Sequence, residues 1–138
     1  MKAASRLPEG AIGACTDVTG FGLAGHATEI SLASDVTLAF DAESLPVLLG
    51  ATELAVENLP CGGRSNQRHY DRLKAEPGVR PELFLVACDP QTSGGLLFSL
   101  RADAADDFVA TLQAEGLSAA RVGTVERRAT DGTLVRLR

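Results

Sequence analysis

The chain has 138 residues, 45% of them hydrophobic and 22% charged, with 18 acidic against 13 basic side chains and a net charge of −5. That length suits one domain, able to bury roughly two thirds of its unfolded surface. The acidic balance, the 4% aromatic content and the lack of Trp argue against a nucleic-acid binder, whose footprint is basic and whose stacking platforms are aromatic.

No apolar run is long enough to span a membrane, and the opening MKAASRLPEG has no apolar core of a secretory leader. A cytoplasmic protein without membrane contact is expected. Cys15, Cys61 and Cys88 are odd in number and widely spaced, which fits neither a disulfide framework nor a paired metal site, so they are read as reduced, buried thiols.

In chain order, a short apolar piece from Ala11 to Cys15 runs into a glycine-rich stretch. A helix is predicted from Gly22 to about Ser34, with Leu23, Ala27 and Ile30 on one face, and a strand from Val36 to Asp41. Ser44 and Pro46 signal a second helix, with Val47, Ala51, Leu54 and Ala55 on its apolar face and an end near Asn58. Residues 60–66, PCGGRSN, are predicted as a turn-rich segment in which Asn66 caps a short helix through Leu73.

Two apolar runs, Leu83 to Cys88 and Leu96 to Leu100, then flank the polar loop Asp89-Pro90-Gln91-Thr92-Ser93-Gly94-Gly95. Asp103 is placed to cap a helix that buries Ala105, Phe108, Val109 and Leu112 and ends at Gly116. The tail carries a hairpin signal: Val122 to Arg128, the turn Thr130-Asp131-Gly132, then Thr133 to Arg138. Strands interleaved with helices predict an α/β or α+β sheet protein in one domain, 1–138, and the hairpin predicts a partly antiparallel sheet.

The stretch ACTDVTGFGLAGH, residues 14–26, places Gly20, Gly22 and Gly25 in the spacing of a dinucleotide-binding loop, with Asp41 at the distance of a ribose-binding acid. Against that reading stands Asp17, a carboxylate where a pyrophosphate would be repelled unless a cation lay between them. A phosphate-binding P-loop is excluded, because the only lysines are Lys2 and Lys74 and neither follows a glycine. The serine-nucleophile motif G-x-S-x-G is absent, and His26 and His69 carry no signature of a base.

Asp17 fits two roles. It is a hard-oxygen ligand for magnesium, which takes one or two carboxylates and shares its other positions with phosphates and water, or it caps the turn through its own backbone. The loop from Asp89 to Gly95 offers a similar choice. Thr92, Ser93, Gly94 and Gly95 can present N–H groups and hydroxyls to phosphate, or can turn the chain between two buried strands.

Taken together and in this order, ACTDVTGFGLAGH and DPQTSGGLL resemble the two signature stretches of the selenophosphate synthetase (selenide, water dikinase) family. The likeness runs across the whole chain and matches that enzyme's carboxy-terminal domain, related to the corresponding domain of aminoimidazole ribonucleotide synthetases. It implies a three-layer α/β/α fold with a mixed sheet, partly like the ferredoxin fold. The family makes selenophosphate, AMP and orthophosphate from ATP, selenide and water with Mg2+, for selenocysteine and selenouridine synthesis.

The resemblance implies that Asp17 is a magnesium ligand, and that Thr16, Thr19, Gly20, Gly22, Asp89, Thr92, Ser93, Gly94 and Gly95 shape the site. The reactive cysteine or selenocysteine and the catalytic lysine are expected in an amino-terminal ATP-binding domain, which also builds the homodimer and which this sequence lacks. The isolated chain is therefore expected to be inactive. One departure stands in the middle loop: the family has P-G-G-T-x-x-N, and this chain has Cys61-Gly62-Gly63-Arg64-Ser65-Asn66.

Overall fold

A computed structural model describes residues 7–138, so Lys2 and the start of the MKAASRLPEG stretch lie outside the described residues. The elements in order are β1 (Ile12–Asp17), α1 (Gly22–Ser34), β2 (Val36–Phe40), a 3-10 turn (Ala42–Ser44), α2 (Ala51–Asn58), α3 (Cys61–His69), β3 (Leu73–Ala75), α4 (Pro81–Cys88), β4 (Leu96–Leu100), α5 (Ala102–Ala114), β5 (Gly123–Arg127) and β6 (Val135–Leu137). They form a mixed α/β domain with a four-stranded sheet ordered β3-β6-β2-β5 and a separate antiparallel pair, β1 with β4.

The larger sheet is organised by β2, whose Thr37, Leu38, Ala39 and Phe40 are all buried. It runs parallel to β6 and antiparallel to β5. One face, bearing Leu38, Phe40, Leu73, Val135 and Leu137, joins Ala24 and Ala27 of α1 and Leu83, Ala87 and Cys88 of α4 in the main core. Burying each large aliphatic side chain there is worth about 1.5–3 kcal/mol. The small buried residues of α1 bring its backbone close to the sheet, and Ser31 Oγ donates to the Leu134 carbonyl at 2.9 Å. The helix ends where Asp35 turns left-handed at φ 52°, its N–H donating to the Ser31 carbonyl. Alternate strand residues face the other way, where Arg136 and Arg138 pair with Glu126 at 3.4 and 3.0 Å.

The tail hairpin does not form. The Thr130-Asp131-Gly132 turn does reverse the chain, with Gly132 at φ 79°, but β2 lies between β5 and β6 and takes both ladders. Turn chemistry specifies a reversal, whereas the ladder goes to whichever strand can be buried on both faces. The second helix also begins later than its signals. Leu45 is extended ahead of Pro46, as a pre-proline residue prefers, and Gly50 at φ 80° precedes the first helical residue, Ala51.

Segment 60–66 is helix rather than turn. Pro60 stands at the N-cap of α3, and Asn66 sits within the helix instead of capping one. Tertiary contact overrides the poor helix propensity of the paired glycines: a Cβ on Gly63 would stand 2.7 Å from Leu59, and one on Gly62 would stand 3.1 Å from Pro90. The apolar run from Leu83 to Cys88 is likewise helix α4, opened by Pro81 at N1. Because α1, α2 and α3 all pack on it, it reads as a continuous apolar run instead of a striped one.

Helix α5 starts at Ala102 with Arg101 in the cap position, so Asp103 is not the cap; its carboxylate pairs with Arg101 at 2.7 Å. The buried residues of α5 are Ala104 and Phe108, and Phe108 meets Phe98 of β4 edge to face at 5.4 Å. Of the three thiols expected to be buried, only Cys88 is; Cys15 and Cys61 are exposed. Among the described residues no helix is long and apolar enough to cross a membrane.

Candidate functional site

The two glycine-rich stretches, remote in sequence, lie against each other. β1 pairs with β4 so that Asp17 faces Leu96 and Thr16 faces Leu97, and the ladder continues past the strand ends into both loops. The Val18 N–H donates to the Gly95 carbonyl at 3.0 Å, Gly94 N–H donates to the Val18 carbonyl at 3.1 Å, and Gln91 N–H donates to the Thr19 carbonyl at 3.0 Å. The segment from Asp17 to Gly20 and the loop from Asp89 to Gly95 therefore form one edge.

Asp17 ends β1 and is exposed. Its carboxylate makes no hydrogen bond or ion pair among the described residues, so it is not engaged in capping the turn; the neighbouring Thr16 hydroxyl donates to the Asp17 backbone carbonyl at 3.1 Å. Two positions back, partial desolvation and then the Asp17 charge push the exposed Cys15 thiol up. Asp89 is half-buried, and that burial raises its carboxyl above the usual range. Gln91 Nε2 donates to Asp89 Oδ2 at 3.3 Å.

Thr19 is held by a residue with no evident role in the sequence. Its N–H donates to His26 Nε2 at 3.1 Å and its hydroxyl lies 2.9 Å from the same nitrogen. Because a backbone N–H can only donate, Nε2 is the acceptor and the ring proton belongs on Nδ1. His26 thus pins the turn from the second turn of α1.

The glycines separate by cause. Gly22 is at φ 68°, and a Cβ there would stand 2.8 Å from the Ala87 carbonyl oxygen; a Cβ on Gly25 would stand 2.6 Å from Phe21 Cβ and 2.7 Å from the Tyr70 ring. Both are therefore required by packing of α1 on α4 and on Tyr70. Gly94 is confined by Val18, and Gly95 is at φ 83°. Gly20 alone of this set has neither positive φ nor a neighbour within 4 Å.

This geometry removes the dinucleotide reading. A Rossmann loop joins a strand to a helix that crosses to a parallel neighbour in the same sheet. Here β1 pairs antiparallel with β4, and the strand after α1 belongs to the other sheet. Thr16 and Asp17 are the last two residues of β1.

Thr92, Ser93, Gly94 and Gly95 are exposed, and the edge they share with Asp17 is open. Two clefts among the described residues, of about 230 and 220 Å³, one beside α5 and one beside the loop before α2, include none of these residues. Among the described residues no group of three His, Cys, Asp or Glu side chains could hold a metal. That edge carries two carboxylates, the exposed Asp17 and the half-buried Asp89.

Sequence reasoning missed His26 as a structural partner and read Asn66 only as a helix cap. Asn66 is buried, and its Nδ2 donates to the carbonyls of Gly20 at 3.0 Å and Cys88 at 2.9 Å. The available signal was an Asn inside a segment that also carried two adjacent glycines.

Fold and site together define a mixed α/β domain whose two glycine-rich signature loops are joined along an antiparallel strand pair. The chain belongs to the family described as AIR synthase related protein, C-terminal domain, whose model matches residues 1–135. It is 43% identical to a selenide, water dikinase of Nitratidesulfovibrio vulgaris over 98% of this chain and 41% of that protein. It is 42% identical to one of Agathobacter rectalis, over 92% of this chain and 38% of the relative.

The chain thus spans about two fifths of the length of these relatives. In fold it resembles a thiamine-monophosphate kinase from Stenotrophomonas maltophilia, with a TM-score of 0.56 at 20% identity, covering 92% of this chain and 31% of that one.

Proposed function

We propose that this chain is the carboxy-terminal domain, 1–138, of a selenophosphate synthetase, supplying one side of a site for magnesium-bound ATP and selenide. The observation that carries the reading is the exposed Asp17 carboxylate, held on an open edge where both signature loops meet. The names of the relatives and their greater length support it.

The donor set fits a shared magnesium site. Magnesium takes hard oxygens, commonly one or two carboxylates with phosphate oxygens and water; Asp17 supplies one such oxygen ligand and the remainder belong to the substrate and to the rest of the protein. When bound, the ion neutralises phosphate charge during phosphoryl transfer. This chain's own part is positioning. The β1 ladder fixes the Asp17 backbone, His26 holds Thr19, and the space beside the Gly20 Cα, where a Cβ would meet nothing within 4 Å, leaves room for an approaching group. Thr92 and Ser93 present hydroxyls from the same exposed edge.

The intact protein is cytoplasmic, homodimeric through its amino-terminal domain, and makes selenophosphate, AMP and phosphate. The 138-residue chain alone, without nucleophile or catalytic lysine, forms no AMP. The test is selenide-dependent AMP formation by the intact protein and by this chain separately: activity in the first only is expected. AMP formation by the chain alone overturns the division of labour, and its absence from the intact protein overturns the assignment. Asp17→Asn in the intact protein raises the magnesium requirement while leaving the domain folded; unchanged magnesium dependence removes Asp17 as a ligand.

A further inference from the structure

Helix α3 lies outside both signature stretches, yet it touches each. Its buried Asn66 is 7% exposed and sends both hydrogens of one amide nitrogen into backbone carbonyls, Gly20 at 3.0 Å and Cys88 at 2.9 Å. Gly20 closes the turn that follows Asp17, and Cys88 is the residue before Asp89. The amide orientation follows from its surroundings, since two carbonyl oxygens can be met only by the NH2 side. The same helix braces the second loop by close packing, because Gly62 and Gly63 leave room for Pro90.

We propose that Asn66 is a positioning residue that fixes the separation between the Asp17 turn and the Asp89 loop, and thereby sets how tightly magnesium-bound nucleotide is held. The second half of this statement rests on the functional reading above. Three short backbone bonds already join the loops on one side, through Val18, Gly94 and Gln91. Asn66 ties them from the other side, at the ends that lead into α1 and out of α4. A side chain with two donors on one atom is what such a junction needs; Asp at this place would set a carboxylate against two carbonyl oxygens and donate to neither.

The test uses Asn66→Asp and Asn66→Ala. In this chain, hydrogen exchange at the amides of Val18, Gln91 and Gly94 is expected to quicken by about tenfold or more, while the amides of Leu38 and Arg138 in the larger sheet keep their protection. Uniform acceleration, or none, overturns the positioning role. If Asn66→Asp does not fold, Asn66→Ala, which removes the donors without adding charge, is read in the same way.

In the intact protein, the KM for magnesium-ATP is expected to rise about tenfold or more, with kcat at saturating magnesium within about threefold of the parent, a split that general instability would not produce. Local acceleration with an unchanged KM, or with loss confined to kcat, overturns the link to nucleotide. Should the intact parent make no selenophosphate, the functional reading and the nucleotide link fall together, and the exchange data alone decide whether Asn66 positions the loops.

Discussion

The Gly94 backbone lies so close to Val18 that a Cβ on Gly94 would stand 2.7 Å from the Val18 carbonyl oxygen, the same oxygen that Gly94 N–H meets at 3.1 Å. Gly94→Ala therefore pushes the two signature loops apart. Overpacking of this kind costs about 1–3 kcal/mol. Gly20→Ala adds its methyl to open space at ordinary φ and is expected to change stability by less than about 0.5 kcal/mol. Urea denaturation of both variants checks the contrast. Equal losses would mean that Gly20 has an internal constraint, whereas a stable Gly20→Ala domain that impairs the intact protein would place an external group over Gly20.

The thiols provide a second check on the fold. Burial pushes the Cys88 thiol up to about 12, so at pH 8 it is protonated as well as enclosed, while Cys15 and Cys61 are exposed. Because the thiolate is the nucleophile, an aromatic disulfide reagent should titrate two thiols in the folded chain and the third only on unfolding. Asp17→Asn removes the charge that helps hold the Cys15 thiol up, so alkylation of Cys15 should quicken in that variant. Rapid labelling of Cys88 in the folded chain, or a Cys15 rate indifferent to Asp17, contradicts this arrangement.

What the sequence made legible follows from how local each signal is. α1, β2 and β4 could be read because helical and strand periodicities arise from near neighbours, and the signature pair because its motifs are contiguous. The hairpin failed because Leu38 donates to the Leu134 carbonyl across the gap that the turn was expected to close, a choice made by a strand far away in the chain. α3 and α4 were missed for the same reason. Gly62 and Gly63 are tolerated in a helix only because Pro90 and Leu59 approach them, and the unbroken apolar run of α4 reflects helices on several sides. Asp17 was legible as a candidate, but its freedom from any cap had to come from the fold.

Asp131 predicts the direction of one pH effect. Its carboxyl is held far below the usual carboxylate range, first by its contacts with Thr133, whose N–H donates to Oδ1 at 3.0 Å, and then by Lys74, whose Nζ donates to Oδ2 at 3.0 Å. A folded-state value below the unfolded one means that the contribution is present above about pH 4 and is lost as pH falls through the lower folded value. Asp131→Asn keeps an acceptor for Thr133 and gives up the charge, so its melting temperature should fall less steeply than the parent's between about pH 5 and pH 2. Both groups of the Lys74 pair are about half exposed, and added salt should shrink the difference. Parallel pH curves would show that Asp131 is not differentially titrated by folding.

The strongest stability contrast concerns two buried threonines. Thr37 Oγ1 donates to the Thr133 carbonyl at 2.8 Å and accepts the Ala129 N–H at 2.9 Å, so a single hydroxyl meets both sides of the turn between β5 and β6. Thr37→Val keeps shape and strand propensity but leaves a backbone donor and acceptor without that partner. Removing one side of a buried hydrogen bond costs about 1–3 kcal/mol, which puts the loss at about 2–3 kcal/mol with both groups affected. Thr28 Oγ1 donates only to the Ala24 carbonyl one turn back in α1, an oxygen that the helix ladder already serves. Thr28→Val should therefore cost less than about 1 kcal/mol. Equal shifts in denaturation midpoint would show that the turn is held by its own Gly132 and Asp131 geometry, with Thr37 contributing volume alone.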